Sequence, residues 1–234
     1  METRADSNRP LYLRVLGIVG IMVLALFTTG VVLGILALLR RAEARRKPLH
    51  VFGEDPAGHV IDTASYRLRV WGKVSEELSL TLEDVQTMPA EERDAPLSCV
   101  VGSTDYATWR GVPIRDVIQA AAPRTDATHV VFRDDRGFSS SLSLEYVQTG
   151  KPILAYELNG KPLPPEHGRP LRVVAPDKWG YKWVRWVTSV ELTDRGYEGT
   201  YESSGWSLDG DLNGPKLESE KPKGQAEAAV PAGQ

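Results

Sequence analysis

Between positions 166 and 187 the chain reads E-H-G-R-P-L-R-V-V-A-P-D-K-W-G-Y-K-W-V-R-W-V, which sets Arg169, Arg172, Lys178, Lys182 and Arg185 among Trp179, Tyr181, Trp183 and Trp186. The whole protein has a formal charge of only -3. Such a local excess of cations calls for an anion. Gly168 and Gly180, with Pro170 and Pro176, forbid one continuous helix, so the cations fall on short strands and turns whose bare amides can also face a phosphate. Guanidinium groups suit bidentate phosphate capture, and aromatic faces suit a flat heterocycle. The plainer reading is a solvated basic strand with a Trp-rich packing face.

The second chemical candidate is Cys99, the one cysteine of the chain, in L-S-C-V-V-G-S-T-D. It has no internal disulfide partner. Alone it reads as a buried, inert thiol, as a nucleophile, or as a soft metal ligand. A nucleophile wants a histidine and an orienting carboxylate, and His50, His59, His129 and His167 stand in no recognisable catalytic sequence. A zinc or iron–sulfur site needs more thiolates. One thiolate can still complete a metal that arrives with the sulfurs of its own cofactor. There is no G-x-G-x-x-G, Walker loop or metal-binding histidine pair, so a nucleotide or zinc enzyme lacks its usual parts. A net acidic chain whose cations alternate with tryptophans is not a nucleic-acid binder.

The elements that must position these residues follow from local pattern. Tyr66, Leu68 and Val70 alternate with Arg67, Arg69 and Trp71, the period of a half-buried strand. Thr81 with Asp84 starts a short helix ended by Pro89, and Pro113 opens another over I-R-D-V-I-Q-A-A-A. His129 to Phe132, Ile153 to Leu158, Leu171 to Ala175 and Trp183 to Leu192 are strand-like, with a tight turn at Asn159-Gly160. The body is one mixed α+β domain of about 140 residues, a common single-core size.

Six blocks in order resemble the molybdopterin-binding domain of the sulfite oxidase family, from about Tyr66 to Trp206. They are Y-R-L-R-V-W-G-K-V followed by L-S-L-T-L-E-D-V; L-S-C-V-V-G with W-R-G-V-P-I; R-G-F-S-S-S-L-S-L; I-L-A-Y-E-L-N-G-K-P-L; E-H-G-R-P-L-R-V-V-A-P; and G-Y-K-W-V-R-W-V. The resemblance implies a β-rich sulfite-oxidase-type fold and a molybdenum–molybdopterin cofactor, its metal held by the pterin dithiolene and the Cys99 thiolate. It carries His167 and Arg172 onto cofactor-binding positions, with Gly180 and Lys182 from G-x-K and Arg185 as a further phosphate partner. It implies two-electron oxygen-atom transfer at sulfur. Sulfite oxidases follow their cysteine with A-G-N-R-R, whereas V-V-G-S-T-D stands here; this favours reduction of a small sulfoxide or methionine sulfoxide over sulfite oxidation. The layout is closest to the bacterial protein-methionine-sulfoxide reductases, although their N-terminal Tyr-Asn segment has no counterpart around Leu49 to Gly53. Asp105 and Arg110 read as facing water. A sulfite oxidase-like enzyme, and a cofactor-free anion-binding or assembly module on the same fold, are the alternatives.

Val15 to Leu39 carries no charge over 25 positions, which suffices to cross about 30 Å of hydrocarbon at about 1.5 Å per residue. The expected layout is an N-terminal tail over 1–14, a transmembrane helix over 15–39, a linker over 40–65, the oxidoreductase domain over 66–206 and a flexible tail over 207–234. The tail is rich in Pro, Gly, Lys and Glu and lacks the apolar surface to fold alone. Three arginines before the span, against five basic residues after it, put the domain in the cytoplasm by the positive-inside rule; family resemblance implies export, and the reading favours the outside. No haem motif is present, so a separate membrane electron carrier, a haem protein or a quinone-linked partner, is expected. With no immunoglobulin-like dimerisation domain after Trp206, the catalytic domain is expected to be monomeric.

Overall fold

In the computed structural model, residues 11–44, 49–51 and 58–221 are described, and the chain divides into two units, 1–47 and 48–234. The expected N-terminal tail up to position 10, parts of the linker (45–48 and 52–57) and the last part of the tail (222–234) lie outside the described residues. The first unit is one helix, α1 (Leu11–Ala44). Its stretch Ile18–Leu36 has a mean hydropathy of 2.5 and buries nothing against protein. By length and composition it is a candidate membrane anchor.

The second unit opens with β1 (Leu68–Gly72), β2 (Leu78–Leu80) and α2 (Leu82–Thr87), followed by the long hairpin of β3 (Glu91–Ser98) and β4 (Thr104–Pro113). Next come α3 (Ile114–Ala120), β5 (His129–Arg133), β6 (Ser139–Ser143), α4 (Leu144–Gln148) and β7 (Ile153–Leu158). The two-residue β8 (Lys161–Pro162), β9 (Arg172–Val174) and β10 (Ser189–Thr193) complete the strands. One sheet runs β2-β1-β10-β5-β6, with β1 and β10 parallel; the other runs β3-β4-β7-β8, with β9 also paired to β7. The α+β class is therefore confirmed.

Alternation builds the first sheet. Leu68 and Val70 of β1, Val130 and Phe132 of β5, and Val190 and Leu192 of β10 are fully buried, while Arg69 turns outward to Glu77. Strand β7 is apolar on both faces, as a central strand must be. Gly111 is needed where β4 bulges against β7: a Cβ there would stand 2.0 Å from the Leu154 carbonyl oxygen. The Thr81–Asp84 capping box closes as the sequence predicts, with Thr81 Oγ1 accepting from the Asp84 N–H. Asn159 and Gly160 both take positive φ, +51° and +73°, the geometry that Asn-Gly favours between antiparallel strands.

Two expectations fail on backbone. Of Trp183 to Leu192, only the part from Ser189 is strand; Trp183 to Thr188 is irregular and crosses Trp186 at φ +54°. Aromatic and β-branched content suggested pairing, but this stretch serves as site wall. Secondly, residues 207–221 are a hydrogen-bonded strap on the domain, where a flexible tail is expected. Ser207 is buried, Trp206 bridges Leu217, Lys178 bridges Asp211, and Lys221 pairs with Asp209 and Glu218. A segment too polar to fold alone still orders when a neighbouring surface satisfies its backbone groups. The same holds before β1. Leu49 is buried in the core, the His50 N–H and ring Nδ1 both meet the Asp105 carboxylate, and His59 lies edge-on to Trp186.

Candidate functional site

Cys99 is the first residue of the loop joining β3 to β4. Its N–H donates to the Ser103 carbonyl at 2.8 Å, and the Gly102 N–H returns to the Cys99 carbonyl at 3.0 Å, with Gly102 at φ +107°. The Ser98 and Thr104 hydroxyls meet across the neck at 3.1 Å. This five-residue turn presents a half-buried thiol to a cavity of about 430 Å3. Arg172, Gly180, Tyr181, Trp183, Arg185 and Trp186 also line it, and Asp134, Arg136 and Phe138 approach from the turn between β5 and β6. A cavity this size is in the range of small-ligand sites.

Arg172, the first residue of β9, is 4% exposed. Its Nη1 donates to the His167 carbonyl at 3.1 Å, and its guanidinium lies over Trp109 and Trp183. Its Nε has no hydrogen-bond partner, and among the described residues no carboxylate comes within salt-bridge reach. Burial first, and the neighbouring Arg185 second, push its pKa down to about 9. A buried cation left this way is costly unless an anion joins it. Arg185 reaches the cavity over the Trp186 ring, 4.3 Å from its centroid, while its Nη1 donates to the Glu166 carbonyl. The left-handed φ of Trp186 costs about 1–3 kcal/mol, and the Trp186 Nε1–H bond to the Pro165 carbonyl, 2.8 Å, helps hold that turn.

Of the residues carried over from the resemblance, Cys99, Arg172, Gly180 and Arg185 line one cavity. His167 does not line it. The ring is buried behind Arg172, and burial, then Arg172, lower its pKa, so it is neutral at pH 7. Lys182 is elsewhere altogether. Its Nζ, wholly buried, donates to Glu202 Oε1 at 2.7 Å, to the Ser141 carbonyl at 3.0 Å and to the Leu208 carbonyl. Those three acceptors account for the three protons of an ammonium, so the side chain has none left for a ligand. Burial lowers its pKa and Glu202 opposes that shift. Backbone from Gly180 to Tyr181 meets the cavity while the Lys182 side chain turns behind it.

Arg136 is missed by sequence reasoning. It sits in the quoted R-G-F-S-S-S block, yet only the hairpin turn of β5 and β6 brings it to the cavity that Cys99 lines. Asp134 holds that turn, its Oδ1 accepting from the Arg136 and Phe138 N–H groups. The Arg136 guanidinium has no carboxylate within salt-bridge reach among the described residues. Asp105 and Arg110 do not simply face water: Asp105 binds His50, and Arg110 pairs with Glu157 beside Tyr156.

One thiol, three guanidinium groups and aromatic side chains thus line one cavity of this mixed-sheet domain. The chain belongs to the family described as the oxidoreductase molybdopterin binding domain, which matches residues 55–201. It is 32% identical over 151 residues to the "Uncharacterized oxidoreductase YuiH" of Bacillus subtilis, covering 64% of this chain and 76% of that one. It is 26% identical over 160 residues to the "Putative protein-methionine-sulfoxide reductase subunit YedZ1" of Azospira oryzae, covering 68% and 61%. The sulfane dehydrogenase SoxCD from Paracoccus pantotrophus shares the fold, with a TM-score of 0.61 at 24% identity over 65% of this chain and 45% of that one. The chain thus spans less than two thirds of the latter two.

Proposed function

We propose that the cavity binds molybdenum–molybdopterin and that the protein transfers an oxygen atom to or from a sulfur centre. The observation that carries this is Arg172, a buried guanidinium with an unpartnered Nε that lines the same cavity as Cys99. A phosphate-bearing pterin supplies the missing anion. Arg172 and Arg185 bind that anion, Tyr181, Trp183 and Trp186 bound the ring system, and the Cys99 thiolate is the protein's ligand to the metal. No three His, Cys, Asp or Glu side chains cluster among the described residues, which suits a metal that brings most of its own ligands. The bound cofactor supplies a two-electron couple, so that a sulfoxide, two protons and two electrons give a sulfide and water. The relative named as a putative protein-methionine-sulfoxide reductase subunit supports this direction, and the one named as an oxidoreductase supports redox chemistry.

A second reading, sulfite-like substrates, is favoured by one observation. The sequence lacks arginines after Cys99, but the fold returns Arg136 and Arg185 to the same cavity, so that among the described residues lining it Arg136, Arg172 and Arg185 stand with one carboxylate, Asp134. The domain works at a membrane through α1, outside the cytoplasm, and exchanges electrons with a separate haem- or quinone-linked carrier. Tethering beside the bilayer raises the effective concentration of such a carrier. The test is metal and pterin analysis of protein from a host able to make the cofactor, with Cys99→Ser alongside. About one molybdenum per chain, and loss of activity in the serine variant, is expected; stoichiometric zinc, or no metal, overturns the proposal. Protease accessibility of the domain in intact cells checks its side of the membrane.

A further inference from the structure

The strap over 207–221 lies beyond residues 55–201, the span of the family match. It nevertheless backs both walls of the cavity. On one side it binds four of the five residues from Lys178 to Lys182. Asp211 pairs with Lys178 at 2.6 Å, the Gly210 carbonyl accepts from the Trp179 N–H at 2.7 Å, the Ser207 carbonyl accepts from the Tyr181 hydroxyl at 2.7 Å, and the Leu208 carbonyl accepts from Lys182. On the other side, Lys216 Nζ donates to the Val100 carbonyl at 3.2 Å and lies 5.0 Å from the centre of the Trp179 ring. Val100 follows Cys99 directly, and Gly180 packs so closely beneath the loop that a Cβ there would stand 3.0 Å from the Ser98 carbonyl oxygen.

We infer that Lys216 is a positioning residue: it clamps the Cys99 loop to Trp179, and so fixes where the thiol points. The physical need is plain. The loop is held from within by only the two backbone bonds at Cys99 and Gly102, its Val101 side chain is 83% exposed, and a short surface loop with so few buried contacts opens easily. A thiolate that ligates a metal must keep one direction, which an external cation on the adjacent carbonyl supplies. The inference rests on the proposed ligand role of Cys99, but the clamp can be measured without the cofactor.

The experiment compares full-length wild type with Lys216→Met and Lys216→Arg, each prepared from hosts with and without molybdopterin synthesis. In the cofactor-free protein, amide exchange at Val100 to Ser103 and alkylation of Cys99 by iodoacetamide are expected to rise about tenfold in Lys216→Met and return towards wild type in Lys216→Arg. In cofactor-loaded protein the electron paramagnetic resonance spectrum of the metal is expected to broaden in the methionine variant and sharpen again in the arginine variant. Unchanged loop exchange in Lys216→Met, or failure of arginine to restore it, overturns the clamp. A loop that responds in a protein that never carries the cofactor leaves the clamp standing and overturns the cofactor reading instead.

Discussion

Lys182 separates what the sequence resemblance implies from what the structure shows, and replacing it by alanine tests the difference. Both Lys182 and Glu202 have no solvent-exposed side-chain surface, and Glu202 Oε1 accepts from Lys182 Nζ and from Ser140 Oγ at 2.5 Å. Glu202 Oε2 is already buried without a partner. Removing the ammonium leaves a carboxylate with no countercharge, together with two carbonyls, of Ser141 and Leu208, that lose their donor. Breaking one side of a buried pair costs about 3–5 kcal/mol. At about 2–4 °C per kcal/mol for a domain of this size, the melting temperature of Lys182→Ala is expected to fall by about 6–20 °C. The double variant Lys182→Met with Glu202→Gln removes both charges at similar volume, and most of the loss should return. Calorimetry on all three proteins measures this. Molybdenum content of Lys182→Ala, loaded and assayed well below its transition, should stay within about twofold of wild type, under half a kcal/mol in affinity. An unchanged melting temperature with loss of the pterin would refute the reasoning and restore Lys182 as a cofactor contact.

Arg172→Met should lower cofactor affinity about ten- to hundredfold, the loss of a charged hydrogen bond in a desolvated site, while the cofactor-free variant melts no lower than wild type because an uncompensated buried charge is gone; a lower melting temperature without cofactor would make Arg172 a structural cation only. Arg136→Gln should raise KM for sulfite about tenfold and leave KM for a neutral sulfoxide unchanged, and equal effects on both would show that Arg136 does not read substrate charge. His167 has a folded pKa below its ordinary value, so its contribution to stability is complete above about pH 6.5 and is lost as pH falls through the depressed value, the unfolded chain taking up the proton first. Denaturant titrations of wild type and His167→Gln between neutral and acid pH should show the acid slope reduced in the variant, and identical slopes would count against a buried neutral ring.

Local chemistry made much of the protein legible. Thr81 and Asp84 close their capping box, Asn159-Gly160 turns with both φ positive, and the alternation of Leu68 and Val70 with Arg69 and Trp71 sets the face of β1, because each depends on residues a few positions apart. The same local blocks carried Cys99, Arg172, Gly180 and Arg185 to one cavity. The sequence could not show which way a side chain leaves its backbone. Lys182 reads as a cation next to Tyr181 and Arg185, but its carboxylate is 20 residues on and its other acceptors are 41 residues back and 26 on. Arg136 enters the site on the turn of the β5–β6 hairpin, and the strap from Ser207 is ordered by donors of the Lys178 to Lys182 turn, by the Val100 carbonyl and by ion pairs of its own. Period and propensity report on neighbours within a turn or a strand, whereas the partner that takes a buried proton or charge is chosen by packing between distant segments. That choice, at Lys182, Arg136 and Lys216, belongs to the tertiary structure alone.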